Sequence, residues 1–221
     1  MHVPDGFINL PTSAGFGAAA LGGVWYSIRR AARLLDDRRI PLAGLVAAFV
    51  FAAQMVNFPV AAGTSGHLLG GVLAAVLVGP WLGTLVLTVV LVVQGFFFAD
   101  GGLSAMGLNV FNMALVGTLG GYLAYRGLGV ILPRNRPGTL VSAGLAAGLS
   151  VPLAAFAFVL EYAIGGEGGV GLGTVAAAMG GVHLLIGIGE GLITALVVGA
   201  VLGTRPDLVA AAPREGVMAR G

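Results

Sequence analysis

The chain has 221 residues, 57 % of them apolar and 9 % charged, with a mean hydropathy of +0.99. A soluble domain carries about 25 % charged residues, so 11 basic and 9 acidic side chains are too few to cover a water-facing surface. This excludes an ordinary cytosolic enzyme and indicates a polytopic membrane protein. All basic residues are Arg and there is no Cys. A Walker A phosphate loop and Schiff-base chemistry both need Lys, and disulfides and thiolate metal sites need Cys, so these are excluded too.

Residues 6–28, 40–99, 101–125 and 137–160 carry no Asp, Glu, Lys or Arg, and 168–204 carries only Glu190. A spanning helix needs roughly 20 residues. The spacing predicts helices over about Ser13–Ile28, Ile40–Asn57, Leu103–Tyr125, Thr139–Ile164 (kinked at Pro152) and Val175–Leu202. The Pro, Gly and Ser of residues 58–67 predict a loop. Leu68–Phe98 then reads either as one helix or as two, split at Gly79–Pro80.

The positive-inside rule chooses between them. Arg29, Arg30, Arg33, Arg38 and Arg39 follow the first helix; Arg126, Arg134 and Arg136 follow Tyr125; Arg205, Arg214 and Arg220 lie beyond the last helix. Only the split puts all three groups on one side, leaving Asp5, Asp100 and Glu167 on the other. The expected fold is therefore all-α integral membrane, with seven transmembrane helices, the N-terminus outside and the C-terminus cytoplasmic. Residues 1–203 form one domain and 204–221 a short disordered cytoplasmic tail. The third helix, about Gly66–Val78, is only about 20 Å long at 1.5 Å per residue. Its His67 end must lie below the membrane surface or be preceded by a loop folded into the bundle, which is tolerated only where protein buries it or it lines a cavity. The start of the chain lacks the basic region of a signal peptide, so Met1 is expected to be retained.

Of the three His residues, His2 and His67 fall at the outer end of this topology. The Met1 amine, the deprotonated backbone nitrogen of His2 and His2 Nδ1 can chelate one cation in fused small rings, and His67 can add a fourth nitrogen. Four nitrogens in a plane suit Ni(II) or Cu(II) better than zinc or magnesium. On spacing alone the bland reading, a terminal residue and a helix cap, stays open. His183 and Glu190, seven residues apart on one helix face, are either a buried polar contact or part of a functional relay. Glu161, Gln54, Asn57, Asn109 and Asn112 are further polar residues at or within helices, fit for inter-helix hydrogen bonds or for orienting ligands. Gly pairs at four-residue spacing, among them Gly144 and Gly148, and Gly187 and Gly191, permit close helix approach. No HExxH, GxSxG or GxGxxG motif is present.

Met1–His2–Val3–Pro4–Asp5–Gly6–Phe7 and the stretch Ala48–Gly71, which contains Gln54–Met55–Val56–Asn57–Phe58–Pro59–Val60–Ala61–Ala62–Gly63–Thr64–Ser65–Gly66–His67, resemble the CbiM/NikM family. These are substrate-capture (S) components of energy-coupling factor (ECF) transporters for cobalt and nickel. The likeness spans nearly the whole chain, and its Asn-Phe-Pro-Val loop is nearer the nickel-type members. The resemblance implies seven helices, an outward N-terminus and metal ligation by Met1, His2 and His67. It also implies no resident cofactor, with Ni2+ or Co2+ as the transported ion. The implied partners are a transmembrane coupling (T) subunit, a cytoplasmic ATPase pair and a small accessory membrane subunit, in a prokaryotic plasma membrane. The implied role is uptake feeding cobalamin biosynthesis or nickel enzymes, without enzymatic activity of the chain itself.

Asp5, Asn57, Thr64 and Ser65 are candidates to orient the ligating imidazoles. The competing readings are a stand-alone proton-coupled cation carrier using His183, Glu190 and Glu161, and an intramembrane enzyme. On the capture reading, His183→Ala and Glu190→Gln are expected to leave metal affinity nearly unchanged.

Overall fold

The computed structural model describes residues 1–37, 39–60 and 64–211. Arg38, Arg214 and Arg220, used above for orientation, lie outside the described residues, as do Ala61, Ala62 and Gly63 of the loop. The architecture is mostly helical, with seven helices among the described residues: α1 (Leu10–Ala32), α2 (Arg39–Gln54), α3 (Gly71–Val78), α4 (Pro80–Phe98), α5 (Met106–Ile131), α6 (Arg136–Gly165) and α7 (Leu172–Thr204). Of these, α4, α5, α6 and α7 are long and apolar enough to cross a membrane; α2 is apolar but shorter.

The all-α expectation needs one correction. β1 (Phe58–Val60) and β2 (Thr64–Gly66) pair antiparallel, with Phe58 opposite Gly66. This hairpin fills the loop predicted before His67. It gives backbone at that depth its own hydrogen bonds, as burial away from water requires.

Helix boundaries follow local chemistry. Asn9 caps α1, its side chain accepting from Thr12 N at 3.0 Å; Asn135 caps α6 in the same way through Gly138 N at 2.9 Å. Such caps satisfy the orphan donors of a first turn. The predicted break between α3 and α4 is present. Gly79 sits at φ +90°, a conformation open to glycine, and Pro80 starts α4, where a missing N–H costs nothing.

The third helix departs from expectation: it starts at Gly71, not Gly66, and all eight of its residues are buried. Both ends borrow partners from distant sequence. At its start, Leu69 N and Gly70 N donate to the Glu190 carboxylate of α7 at 2.8 and 2.7 Å, and Gln54 Nε2 donates to Leu69 O at 2.6 Å. A negative charge also suits a helix N-terminus. At its end, Ala210 N and Ala211 N donate to Leu77 O and Val76 O at 3.1 and 3.2 Å. Residues 204–211, assigned to a disordered tail from the sequence, are thus structured. After a 3-10 turn at Pro206–Leu208 they run beneath α3 with Val209 buried, and Ala211 O accepts from Tyr125 OH at 3.2 Å.

The Gly pairs of α6 and α7 form a close seam. A Cβ on Gly187 would stand 2.5 Å from Gly148 O, and one on Gly191 would stand 2.7 Å from Gly144 O. Gly148 is four residues before Pro152, which has no N–H to give its carbonyl, and α7 packs on that carbonyl. The middle of α5, Val110–Gly120, is a π-helix, a rare form that is frequent at functional sites.

Arginines gather at one end of the bundle, where Asp36 and Asp207 pair with Arg39 and Arg205. At that end Arg29 lies over Trp25 at 4.0 Å, Arg30 lies 5.6 Å from the Trp81 ring, and Arg136 Nη2 donates to Gly199 O at 3.0 Å. Asp5, Asp100 and Glu167 belong to the other end. There the N-terminal segment is stitched to the loop after α6 by an Ile8–Gly166 bridge and by Glu167 N donating to Phe7 O at 2.9 Å.

Candidate metal centre

The first three residues enter the acidic end of the bundle: Met1 and Val3 are fully buried and His2 nearly so. Three contacts hold them. Asn109 in α5 accepts from Val3 N at 2.6 Å and donates to Val3 O at 3.4 Å, while Gly102 N donates to Val3 O at 2.9 Å. Asp5, expected to orient an imidazole, instead accepts from Ser104 N at 2.8 Å and from the Ser104 hydroxyl. Those donors hold its carboxyl below the ordinary value, and it anchors the segment to the loop before α5.

This placement brings the His2 and His67 rings to a centroid separation of 4.8 Å, edge to face. His2 Nδ1 lies 2.8 Å from Asp100 O, and His67 Nδ1 lies 2.7 Å from Leu68 O. A carbonyl oxygen only accepts, so both Nδ1 atoms carry the proton and both Nε2 atoms hold lone pairs. Both Nε2 atoms are buried without a hydrogen-bond partner. Chelation through His2 Nδ1, expected from the chain geometry, therefore asks the ring to turn away from Asp100 O. Asn57 Nδ2 approaches the Asp100 carboxylate at 3.4 Å, and that carboxylate is 3.7 Å from His2 Nδ1. Asn57 thus acts on the site through Asp100. The side chains of Thr64 and Ser65 lie outside the described residues.

Burial lowers the proton affinity of this group. Desolvation takes the Met1 amine from 8.0 down to about 5, against the pull of Asp100. It takes His2 down to about 4, helped by the charge of the amine. His67 is held well below its ordinary value by burial, then by the amine, His2 and His183. Amine and imidazoles are unprotonated at neutral pH and offer lone pairs without losing a proton, as metal ligands must. Among the described residues no three His, Asp or Glu side chains group closely enough to hold an ion by themselves.

The sequence reading had Glu190 and His183 as a buried polar contact or a relay. Glu190 spends both carboxylate oxygens on the backbone just after His67, so it shapes the His67 loop. The expectation that Glu190→Gln leaves affinity intact changes accordingly. His183, two turns before it, donates Nδ1–H to Met179 O at 2.7 Å, leaving a buried, unpartnered Nε2. The shared face of the two residues was visible in the sequence, but the loop it supports was not. Close approach adds Gly101: a Cβ there would stand 2.6 Å from His2 Nδ1. Glu161 meets Asn112 of the π-helix at 2.7 Å, an inter-helix hydrogen bond of the kind expected for the Asn pair.

Residues 2–208 match the family described as the cobalt uptake substrate-specific transmembrane region, CbiM. The chain is 39 % identical to a putative fused nickel transport protein, NikMN, of Archaeoglobus fulgidus, across 99 % of this chain and 71 % of that protein. It is 35 % identical to the cobalt transport protein CbiM of Sorangium cellulosum, across 95 % and 94 %. A crystal structure of a truncated transition metal transporter superposes with a TM-score of 0.84 at 31 % identity, covering 92 % of this chain and 99 % of that one. A second transition metal transporter structure gives 0.85 at 30 % identity, covering 92 % and 93 %. With seven helices, four of them of spanning length and composition, the chain belongs to the CbiM family of multi-pass membrane proteins of cobalt and nickel transport.

Proposed function

We propose that the chain captures Ni2+ or Co2+ at Met1, His2 and His67 as the S component of an ECF transporter in a prokaryotic plasma membrane. The observation that carries this is the pair of buried imidazoles 4.8 Å apart, each with an unpartnered Nε2, beside a desolvated amine. Buried polar atoms without partners are uncommon and call for an explanation; an ion that takes these lone pairs supplies one. In this reading the acidic end faces outside and the arginine end faces the cytoplasm. The ion binds from outside through the Met1 amine, the His2 backbone and ring nitrogens, and His67. Binding needs no nucleotide site in this chain. Work comes from a cytoplasmic ATPase pair through a transmembrane coupling subunit, with a small accessory membrane subunit beside it; the fused NikMN relative supports such company.

The carrier reading, with Glu190 as a relay, fits less well because both Glu190 oxygens are committed to backbone N–H groups.

The test is nickel binding by the purified chain, with Met1 confirmed at the N-terminus by mass spectrometry. One equivalent should bind as a planar, diamagnetic complex with a visible d–d band. Two residues placed ahead of Met1 should abolish it. Undiminished binding by the extended chain defeats the proposal.

A further inference from the structure

At the arginine end, between the end of α5, the start of α6 and the structured residues 210–211, lies a cleft of about 880 Å³. It is at the opposite end of the bundle from the His2–His67 site and takes no part in it. Arg126 and Arg134 line it, with Tyr122, Tyr125, Thr139 and Ser142 between them. Among the described residues no Asp or Glu lines it, and neither arginine has an ion-pair partner. Gly138 and Thr139 on its wall are in the first turn of a 30-residue helix, which adds positive potential there. The Tyr125 and Thr139 hydroxyls already donate to Ala211 O and Asn135 O, so the recognising groups are the two unpaired guanidiniums beside the helix start, and guanidiniums bind phosphate oxygens strongly.

What lies beside the cleft narrows the ligand class. Val130 and Ile131, which close α5 next to it, are 78 % and 81 % exposed, and Leu123, two turns before Val130 on the same face, is exposed as well. Leu123 lies three residues before Arg126 toward the middle of this span, the side on which acyl chains run from a headgroup held at the arginine end. A phosphate group bound between the arginines would therefore have apolar surface directly at hand for a hydrocarbon tail. A free anion would make no use of that surface. Basic pockets between transmembrane helices are suited to anionic headgroups in this way.

We propose that this cleft binds the phosphate headgroup of an anionic phospholipid, with Arg126 and Arg134 on the phosphate and the outer faces of α5 and α6 along the chains. The floor of the cleft is Ala210–Ala211, whose N–H groups close the end of α3, so a bound lipid braces that closure.

The experiment uses the full chain purified in detergent and stripped of lipid. It is offered phosphatidylglycerol, phosphatidylcholine or inorganic phosphate, and read by native mass spectrometry and thermal unfolding. One phosphatidylglycerol should be retained and raise the Tm by several degrees, while phosphatidylcholine and inorganic phosphate do neither. Arg126→Gln with Arg134→Gln should lower retention at least tenfold while one equivalent of nickel still binds at the far end, showing an intact fold. Equal retention of the neutral lipid, an equal Tm rise with inorganic phosphate alone, or undiminished retention by the folded double variant would each overturn the proposal. The comparison of lipids on the unaltered chain decides the matter even if the double variant does not fold.

Discussion

Glu190→Gln tests whether this carboxylate anchors the His67 loop. The carboxylate accepts two backbone N–H groups, from Leu69 at 2.8 Å and Gly70 at 2.7 Å, at a site only 3 % exposed. Gln is nearly isosteric, but it presents one oxygen and one NH2 group. One backbone N–H keeps an acceptor and the other meets a donor. A hydrogen bond to a charged group contributes about 1.5–3 kcal/mol, and a stranded buried donor costs a similar amount. With about 1.4 kcal/mol per tenfold, a loss of this size in the ordering of the His67 loop weakens nickel binding about ten- to a hundredfold. Burying a carboxylate is itself unfavourable, so overall stability is the weaker readout and metal affinity the discriminating one. Equilibrium dialysis of nickel at pH 7.5 measures it. An affinity within twofold of the unaltered protein refutes the reasoning and frees Glu190 for some other duty.

The remaining predictions test the rest of the frame. Because burial leaves the Met1 amine near 5 and His2 near 4, nickel binding at pH 7 should release about one proton, that of the His2 amide. Release should climb, and affinity fall, as pH drops through 5; two or more protons at pH 7, from calorimetry in buffers of different ionisation enthalpy, would show an exposed amine. Gly101→Ala puts a methyl 2.6 Å from His2 Nδ1 and should lower nickel affinity at least tenfold, with dialysis as the check. Ala210→Pro with Ala211→Pro deletes both donors to α3, at about 1–3 kcal/mol for each stranded carbonyl. The Tm should drop by several degrees, and an unchanged Tm would mean that this strap contributes nothing. Gly187→Val, whose Cβ would stand 2.5 Å from Gly148 O, should part α6 from α7 and lower the Tm further than Gly189→Val, where the space is open.

Much of this fold is legible in the residue order because its determinants are local. The break at Gly79–Pro80 follows from one dipeptide, and the α6–α7 seam from Gly at four-residue spacing. The gathering of arginines at one end follows from where charges interrupt the apolar runs. What the sequence hid is set by partners far along the chain. The start of α3 is displaced from Gly66 to Gly71 because a carboxylate 120 residues away takes the intervening N–H groups. The strap at 210–211 has no periodicity to reveal it, and the π-helical turns of α5 look like any apolar helix. At the candidate site, Met1, His2 and His67 were visible as nitrogen donors at one end. The backbone oxygen of Asp100, which fixes the His2 ring as found, is a main-chain atom and leaves no mark in residue type. Asn109 was visible as a polar residue in a helix, but its grip on Val3 depends on a chain start threaded into the bundle.

The double borrowing of α3 has a mechanical consequence. A helix normally resists displacement through its neighbours' side chains alone, since its backbone ladder is internal. This one is moored by five hydrogen bonds made to backbone at its two ends, three from side chains near the His67 loop and two from the main chain at the far end. Tension applied to residues 204–211 is transmitted through about 12 Å of rigid helix to the backbone beside His67, so the two ends of the molecule are joined by a single short strut.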